Sequence, residues 1–410
     1  MSDFASLVAK TLDEAPTRYR GPGGCIAVVK DGEAVGKKVW GFADLHAHIP
    51  MGTDTVLPIC SVSKQMLCGL FTDLQRNPTP KMAARGIDAS QQLADEFARY
   101  VNPTLLEKGL KLEDLCNNRS GLRDYWALSV LWGAKPEGKF SIVDHGPKMV
   151  ERIKSFQFDT NTQYSYSNTN FFIVARVIER VTEQPLKDLL DERIFKPAGM
   201  KTAFLCADTS THPGPGIGYE GTEETGFWPG DNNIEWAGDA GIAASLDDMV
   251  AYDKFVDAQR DQKDSWYYHN ATQQTFADGK PAQYSFGLTH EDIEGIKAVG
   301  HGGALRGYRL NRIYVPEHRV SVIALLNEET GDSGAVTNDT LLSVLGKPKP
   351  KHDVVQPGEK WYGTYLDEKT QLAIVVRKST VPGKVELKYH RKPMKYRATD
   401  EYRVVMDDNV

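Results

Sequence analysis

Several things are scarce in this sequence, and each scarcity narrows what the chain can be. Its five cysteines (Cys25, Cys60, Cys68, Cys116 and Cys206) are odd in number and scattered, with no C-x-x-C pair. That spacing argues against a disulfide scaffold and suits reduced thiols in a cytoplasmic protein. No apolar run approaches the roughly 18 residues of a membrane-spanning helix. Met1 to Arg20 lacks the basic-then-apolar pattern of a secretory signal. Neither sign of charge dominates: the net charge is −6, which offers no footing for nucleic acid or an anionic membrane. The histidines are dispersed, His46 and His48 included, so no metal-ligand spacing arises. Gly23-Gly24 and Gly302-Gly303 lack the strand-to-helix setting of a nucleotide-binding loop and read as sites of close backbone approach. No cofactor and no metal are expected.

What is present describes a globular chain of more than one domain. Its 410 residues exceed the roughly 250–300 at which a single core stops growing. Hydrophobic residues make up 40% and charged residues 25%, the balance of a water-facing protein. Residues 4–15 predict an amphipathic helix ended by Pro16. Gly23–Lys30 predicts a strand, Asp31-Gly32 a hairpin turn, and a second strand runs toward Trp40. The spacing of Val62, Met66, Leu67, Leu70, Phe71 and Leu74 is helical, which puts Ser61 at or near a helix N-terminus. The positive end of that helix would favour negative charge developing near Ser61.

Residues of about 75–235 read as a mostly helical insertion, with helices at Leu93–Tyr100, at Leu105–Leu115 and from Asn168 to Val181. Strand character returns at Tyr284–Leu288, Arg309–Val315 and Val320–Leu326. The Pro- and Lys-rich stretch from Gly346 to Asp353 predicts a linker, extending over 346–360. Trp361–Leu366, Leu372–Val376, Lys384–Tyr389 and Tyr402–Met406 predict four short strands beyond it. Four strands make a poor independent core. They are expected to be completed by further polypeptide, by another chain or by packing on the first domain.

Three short patterns carry the chemistry: Ser61-Val62-Ser63-Lys64, Tyr166-Ser167-Asn168 and His301-Gly302-Gly303. A serine hydroxyl is a poor nucleophile at neutral pH and needs a base beside it. A lysine three residues on lies on nearly the same helical face, and serves as a base when burial keeps it largely neutral. Each pattern alone is weak, and plain structural roles exist for all of them. Ser61 and Asn168 could simply cap helices, and His301 could be a packed strand histidine. Their order, wide spacing and context make the combined signal.

These residues resemble the penicillin-recognising serine hydrolases, the group of class C β-lactamases, D,D-carboxypeptidases and related esterases. Within it the chain is most similar to the D-aminopeptidases. The similarity extends through Gly21-Pro-Gly-Gly, Trp40-Gly-Phe-Ala-Asp, Pro58-Ile-Cys-Ser-Val-Ser-Lys-Gln, Cys116-Asn-Asn, Ser120-Gly-Leu-Arg-Asp-Tyr-Trp-Ala-Leu and Gly300-His-Gly-Gly-Ala-Leu-Arg-Gly, across most of residues 20–330. It implies an α/β (α+β) catalytic domain over 1–345, with an antiparallel sheet and a helical subdomain, then a partial antiparallel β-barrel over 361–410. It implies Ser61 as the acylated nucleophile and Lys64 and Tyr166 sharing the proton transfers. Asn168 would bond Lys64 or the substrate amide, and the N–H groups of Ser61 and Ala304 would form the oxyanion hole. His301, Gly303 and Ala304 would line the substrate strand.

The histidine at 301 stands where most of that group has a lysine. Mostly neutral at pH 7, it favours an amide, an ester or the N-terminal end of a peptide over a substrate carboxylate. Asp239 and Glu220 are candidates to receive a substrate amine, with a surface or turn role the preferred reading of each. In the D-aminopeptidases a loop of a second barrel reaches the active site, and here that loop is expected to be absent or supplied by another polypeptide. Arg306, Arg309 and Arg312 form either an anion site or, preferably, a solvated strand face. The resulting expectation is a hydrolase removing N-terminal D-amino acids. A β-lactamase-like esterase or amidase, and a non-catalytic scaffold of the same fold, are the alternatives. A homodimer is a further expectation.

Overall fold

The computed structural model describes residues 2–135, 138–347, 354–369, 371–388 and 394–406. The chain divides into two compact units, Met1–Lys347 and Pro348–Val410. Most of the expected linker, 348–353, lies outside the described residues.

The first unit is built on an eight-stranded antiparallel sheet. Its strands are β1 (Gly23–Lys30), β2 (Glu33–Asp44), β3 (Ile49–Pro50), β4 (Tyr284–Ser285), β5 (Leu288–Ile293), β6 (Ile296–Leu305), β7 (Tyr308–Val315) and β8 (Val320–Leu326). Their spatial order is β3-β2-β1-β8-β7-β6-β5-β4. The two ends of the unit therefore meet in mid-sheet, where Gly24 lies opposite Leu326 and Lys30 opposite Val320. The Asp31-Gly32 turn joining β1 to β2 has φ of +54° and +77°, the backbone that a two-residue hairpin favours.

Side-chain alternation along the strands buries both faces of the sheet. Ile26 and Val28 of β1, with Val322 and Ala324 of β8, pack on one side with Val8 and Leu12 of α1 (Ser2–Arg18) and with Val336 and Leu341 near the C-terminal end of the unit. Cys25, Ala27, Val29, Ile323 and Leu325 face the other side and join a larger core. That core includes Met66, Leu67 and Leu70 of α2 (Ser63–Arg76), Phe171, Val174 and Ile178 of α3 (Asn168–Thr182), and Met249 and Tyr252 of α4 (Leu246–Gln259). Val336 and Leu341 belong to α5 (Ser333–Val344). The fold is thus the expected α+β arrangement, a sheet sandwiched between helices.

Three local expectations needed correction. Helix α1 runs past Pro16 to Arg18, because a proline in the final turn removes only one backbone bond and Tyr19 N still reaches Ala15 O at 2.9 Å. The helix expected over Leu105–Leu115 is two short ones, Pro103–Leu106 and Leu112–Cys116. Gly109 interrupts them at φ +84°. The strand expected over Tyr284–Leu288 breaks at Phe286 and Gly287, both at positive φ. Gly287 lies so close to α2 that a Cβ would meet the Lys64 carbonyl at 2.6 Å.

The second unit is an open five-stranded antiparallel sheet of Gly363–Asp367, Leu372–Lys378, Lys384–Lys388, Met394–Asp400 and Arg403–Met406, in sequential order. It has one strand more than the four expected. Met394–Asp400 alternates Tyr396 and Ala398, which are buried, with charged residues that hid its pattern. Tyr389, the expected end of the third strand, lies outside the described residues.

Candidate active site

The approach to Ser61 is a strand-to-helix turn. Leu57–Pro58 pairs with Ile242–Ala244, Ile59 N bonds Ile242 O at 2.8 Å, and the chain then tightens into a 3₁₀ turn over Cys60–Val62 before α2 begins. Cys60 is fully buried at φ +52°, a conformation that costs energy for a non-glycine residue and persists only where packing enforces it. Ser61 does not cap the helix. Val62 holds the capping position of α2 and makes no side-chain cap bond.

Instead, Ser61 Oγ is the meeting point of two other side chains. Lys64 Nζ lies 3.0 Å from it, one helical turn away. Tyr166 Oη lies 2.8 Å from it. Lys64 is wholly buried. Its Nζ also donates to the carbonyl of Asp239 at 2.6 Å and faces the rings of Tyr166 and Phe171, 4.9 and 5.2 Å from their centroids. Burial lowers its pKa from the ordinary lysine value to about 8, against the opposing pull of Asp239 and Asp124. Burial raises that of Tyr166 far enough to keep the phenol neutral. The arrangement thus provides a hydroxyl with a proton acceptor and a neutral proton donor at one atom.

A buried polar net delivers Tyr166 and Asn168. Ser165 N bonds Asn118 O at 2.9 Å, while Asn118 Oδ1 accepts from Ser167 N and Asn170 Nδ2. Ser120 Oγ donates to Asn170 Oδ1, and Tyr125 N donates to Thr169 Oγ1. Asp124 accepts from Asn168 N. The loop after Cys116 is therefore bonded residue by residue to the start of α3. Sequence reasoning saw Cys116-Asn-Asn and Ser120-Gly-Leu-Arg-Asp only as part of a resemblance. Their side-chain partners lie about fifty residues away and leave no local signal.

The strand bearing His301 forms the facing wall. Leu305 and Tyr308 close a two-residue hairpin between β6 and β7, and such a closing pair exchanges both backbone bonds. Alternate residues then turn the other way, so the N–H and C=O of Gly302 and Ala304 point away from β7. Strand β5 would cover that edge, but its pairing with β6 reaches only Thr289 opposite Gly300. The Ser61 turn occupies part of the space. A Cβ on Gly303 would lie 2.7 Å from Ile59 O and 3.3 Å from Ser61 N.

His301 is nearly buried, and both its ring nitrogens are engaged. Nδ1 contacts Gly302 O, and Nε2 lies 2.8 Å from Tyr284 Oη. Since a carbonyl can only accept, Nδ1 carries the proton and Nε2 accepts from Tyr284. Burial, aided by the charge of Lys64, lowers the His301 pKa to about 3. The ring is neutral, as expected for this position.

These groups surround a cavity of about 610 Å³. Its walls include Ser61, Tyr166, Asn168, His301, Gly303 and Ala304, together with the aromatic residues Trp126, Tyr164, Trp236 and Tyr284. All seven residues singled out by sequence are thus near one another. Asn168 lines the cavity, but the hydrogen bonds of Lys64 go to Ser61 and Asp239 rather than to it.

The other charged candidates are engaged away from the cavity chemistry. Asp239 does not line the cavity. Its carboxylate is fully buried and bonded to Tyr125 Oη and Ala237 N. Glu220 is paired with Arg306 at 2.6 Å. The three arginines form neither a solvated face nor an anion site: Arg309 pairs with Glu329 at 2.7 Å, and Arg312 is buried against Asp253 and Gln65. Among the described residues, no group of three or more His, Cys, Asp or Glu is placed to hold a metal. No helix among them is long and apolar enough to cross a membrane.

A sheet flanked by helices, with a Ser–Lys pair at the start of one helix and a tyrosine closing on it, defines a β-lactamase-like protein. The chain belongs to the Beta-lactamase family, whose profile matches residues 8–346. Residues 354–409 match D-aminopeptidase, domain B. The chain is 43% identical over 367 residues to a D-aminopeptidase of Cereibacter sphaeroides, covering 90% of this chain and 68% of that one. It is 43% identical over 375 residues to a D-aminopeptidase of Brucella anthropi, covering 91% and 69%. The resemblance read from the sequence is thereby confirmed. Among solved structures, an octameric penicillin-binding protein homologue from Pyrococcus abyssi matches with a TM-score of 0.71 at 18% identity, over 99% of this chain and 92% of its own. A D-amino acid amidase from Ochrobactrum anthropi SV3 matches with a TM-score of 0.64 at 20% identity, over 84% and 98%. At such identities these two likenesses speak to the fold.

Proposed function

We propose that this protein is a serine hydrolase that removes N-terminal D-amino acids from small peptides, amides or esters through an acyl-enzyme on Ser61. The observation that carries the chemistry is the convergence of Lys64 Nζ and Tyr166 Oη on Ser61 Oγ, at 3.0 and 2.8 Å. Ser61 gives its proton to the neutral Lys64 amine as Oγ bonds the acyl carbon. The carbonyl electrons move to oxygen, held by the N–H groups of Ser61 and Ala304. Collapse expels the amine or alcohol, which takes a proton relayed from Lys64 through Tyr166. Water repeats the cycle on the acyl-enzyme and releases the acid. A single oxyanion donor is worth roughly 100–1,000-fold in rate.

Substrate class is supported from two directions. The relatives named D-aminopeptidase support D-selectivity. Neutral His301, with both nitrogens occupied, supports a substrate that presents no carboxylate at that wall. Asn168 and the free edge of β6 would bond the scissile amide, and the aromatic walls would take the side chain. One observation favours a second reading: no Asp or Glu is among the described residues lining the cavity. An amidase or esterase that needs no amine counter-charge fits that lining.

Five buried free thiols support a cytoplasmic setting. Exposed Leu366, Leu372 and Tyr402 support completion of the five-stranded sheet by further polypeptide. The test is hydrolysis of D- and L-alanine p-nitroanilide and of p-nitrophenyl acetate, with Ser61→Ala as control. Turnover of the D-anilide that is lost in the control supports the main reading. Turnover of the ester alone moves the assignment to the second.

A further inference from the structure

Asp239 was a candidate to bind substrate, and the structure places it elsewhere, beneath the catalytic lysine. Its main-chain carbonyl accepts from Lys64 Nζ at 2.6 Å. Its carboxylate is fully buried. Oδ1 accepts from Ala237 N at 2.8 Å and Oδ2 from Tyr125 Oη at 2.7 Å. Burial pushes the pKa of this carboxyl up, and the charge of Lys64, the Tyr125 hydroxyl and the Ala237 N–H act against that rise and favour the ionised form. Tyr125 is itself buried and fixed, by the bond from its N–H to Thr169 Oγ1 and by stacking on Phe140 at 5.4 Å.

A buried carboxylate needs hydrogen-bond donors on its oxygens and is stabilised further by a cation nearby. Lys64 is the cation that acts on it: after burial, each is the largest electrostatic influence on the other. The remaining titratable groups around Lys64 carry no positive charge. Asp124 and the thiols of Cys60 and Cys68 pull its pKa upward, Tyr166 is neutral, and His301 is neutral.

We propose that Asp239, held in place by Tyr125, is a positioning residue that supplies the counter-charge for the Lys64 ammonium formed when Ser61 is acylated. The inference rests on the Ser61–Lys64 assignment made above. As Ser61 transfers its proton to the Lys64 amine, the Lys64–Asp239 pair passes from net −1 to net zero while the negative charge moves to the substrate oxygen. The pair therefore absorbs the proton without creating an isolated buried cation. Asp239 touches no substrate atom. It acts through the carbonyl that aims Nζ and the charge that stabilises it.

The experiment uses a fluorophosphonate, which forms a Ser–phosphorus bond with loss of fluoride whatever amino acid the enzyme prefers. Its rate of reaction with Ser61 is followed from about pH 5 to about pH 10, the span over which a perturbed lysine titrates. Parent, Asp239→Asn and Tyr125→Phe proteins are compared, each checked for folding by circular dichroism. The parent rate rises with pH through a midpoint set by Lys64. In Asp239→Asn the midpoint moves about one to three pH units lower, the usual effect of losing a nearby opposite charge, and the plateau falls. Tyr125→Phe moves it the same way by less, because Asp239 then ionises less readily. Midpoints unmoved in the folded variants, with only the plateau reduced, give Asp239 a structural role and overturn the proposal. A parent protein that does not react overturns the Ser61–Lys64 assignment and this inference with it. Should Asp239→Asn fail to fold, Tyr125→Phe, which keeps the carboxylate, decides the matter alone.

Discussion

Gly303 lies against the backbone of Ser61, close enough that a single added methyl group would fall 2.7 Å from Ile59 O, 2.9 Å from Cys60 Cβ and 3.3 Å from Ser61 N. Two of these three neighbours are main-chain atoms, which cannot swing aside as a flexible side chain can. Gly303→Ala is therefore expected to push strand β6 and the Ser61 turn apart. Turnover should fall by about 10–100-fold, as misplacement by about an ångström does in a preorganised site, with the circular dichroism spectrum unchanged. An unchanged kcat would remove the edge of β6 from the reaction.

Lys64 must be neutral to accept the serine proton, and its pKa lies near 8 because it is buried. Below that value the reactive fraction drops about tenfold per pH unit. A plot of log kcat/KM against pH should accordingly rise with unit slope and level off above about 8. Lys64→Arg, which stays charged throughout, should lose at least about a hundredfold in kcat/KM. A flat profile in the parent would exclude Lys64 as the base.

Arg312 and Asp253 form a fully buried ion pair, with Gln65 of α2 sharing the guanidinium. This pair ties β7 to α4 and to the residue after Lys64. Arg312→Met leaves a buried carboxylate without its partner, which costs about 3–5 kcal/mol. Urea unfolding should show the loss. Adding Asp253→Asn to the variant should restore much of it, whereas a double variant no more stable than the single would argue that packing, not charge, is at stake.

Burial lowers the pKa of four histidines: His301 to about 3, His212 and His290 to about 4, and His269 as well. Each folded-state value lies below the ordinary histidine value of about 6.5. As pH falls, the unfolded chain thus takes up protons that the folded chain refuses. The resulting stability is fully present above about 6.5 and is lost progressively below it. Melting temperature should decline as pH falls from about 6.5 to about 4, and His290→Gln should make that decline shallower. Equal slopes in parent and variant would remove His290 from the effect.

The sequence by itself determined the local grammar and the candidate site residues. Asp31-Gly32 specifies a hairpin because both positions need positive φ. The apolar spacing after Ser61 specifies α2, and a lysine three residues on must share the serine's helical face. The short apolar runs of β1 and β8 foretold strands, though not that both faces of their sheet are covered.

Only the tertiary structure decided the charges. Asp239, Arg306, Arg309 and Arg312 look alike in a sequence, as polar residues near the motifs. Their roles depend on which distant partner packs against them: Tyr125, 114 residues away, for Asp239, and Asp253, 59 residues away, for Arg312. Lys64 is a buried lysine of lowered pKa rather than a solvated one for the same reason, since what lowers its pKa is burial by the whole core. Helical and strand periods are encoded within a few neighbouring residues. Desolvation and pairing belong to the folded assembly of distant segments, and they have no local signature.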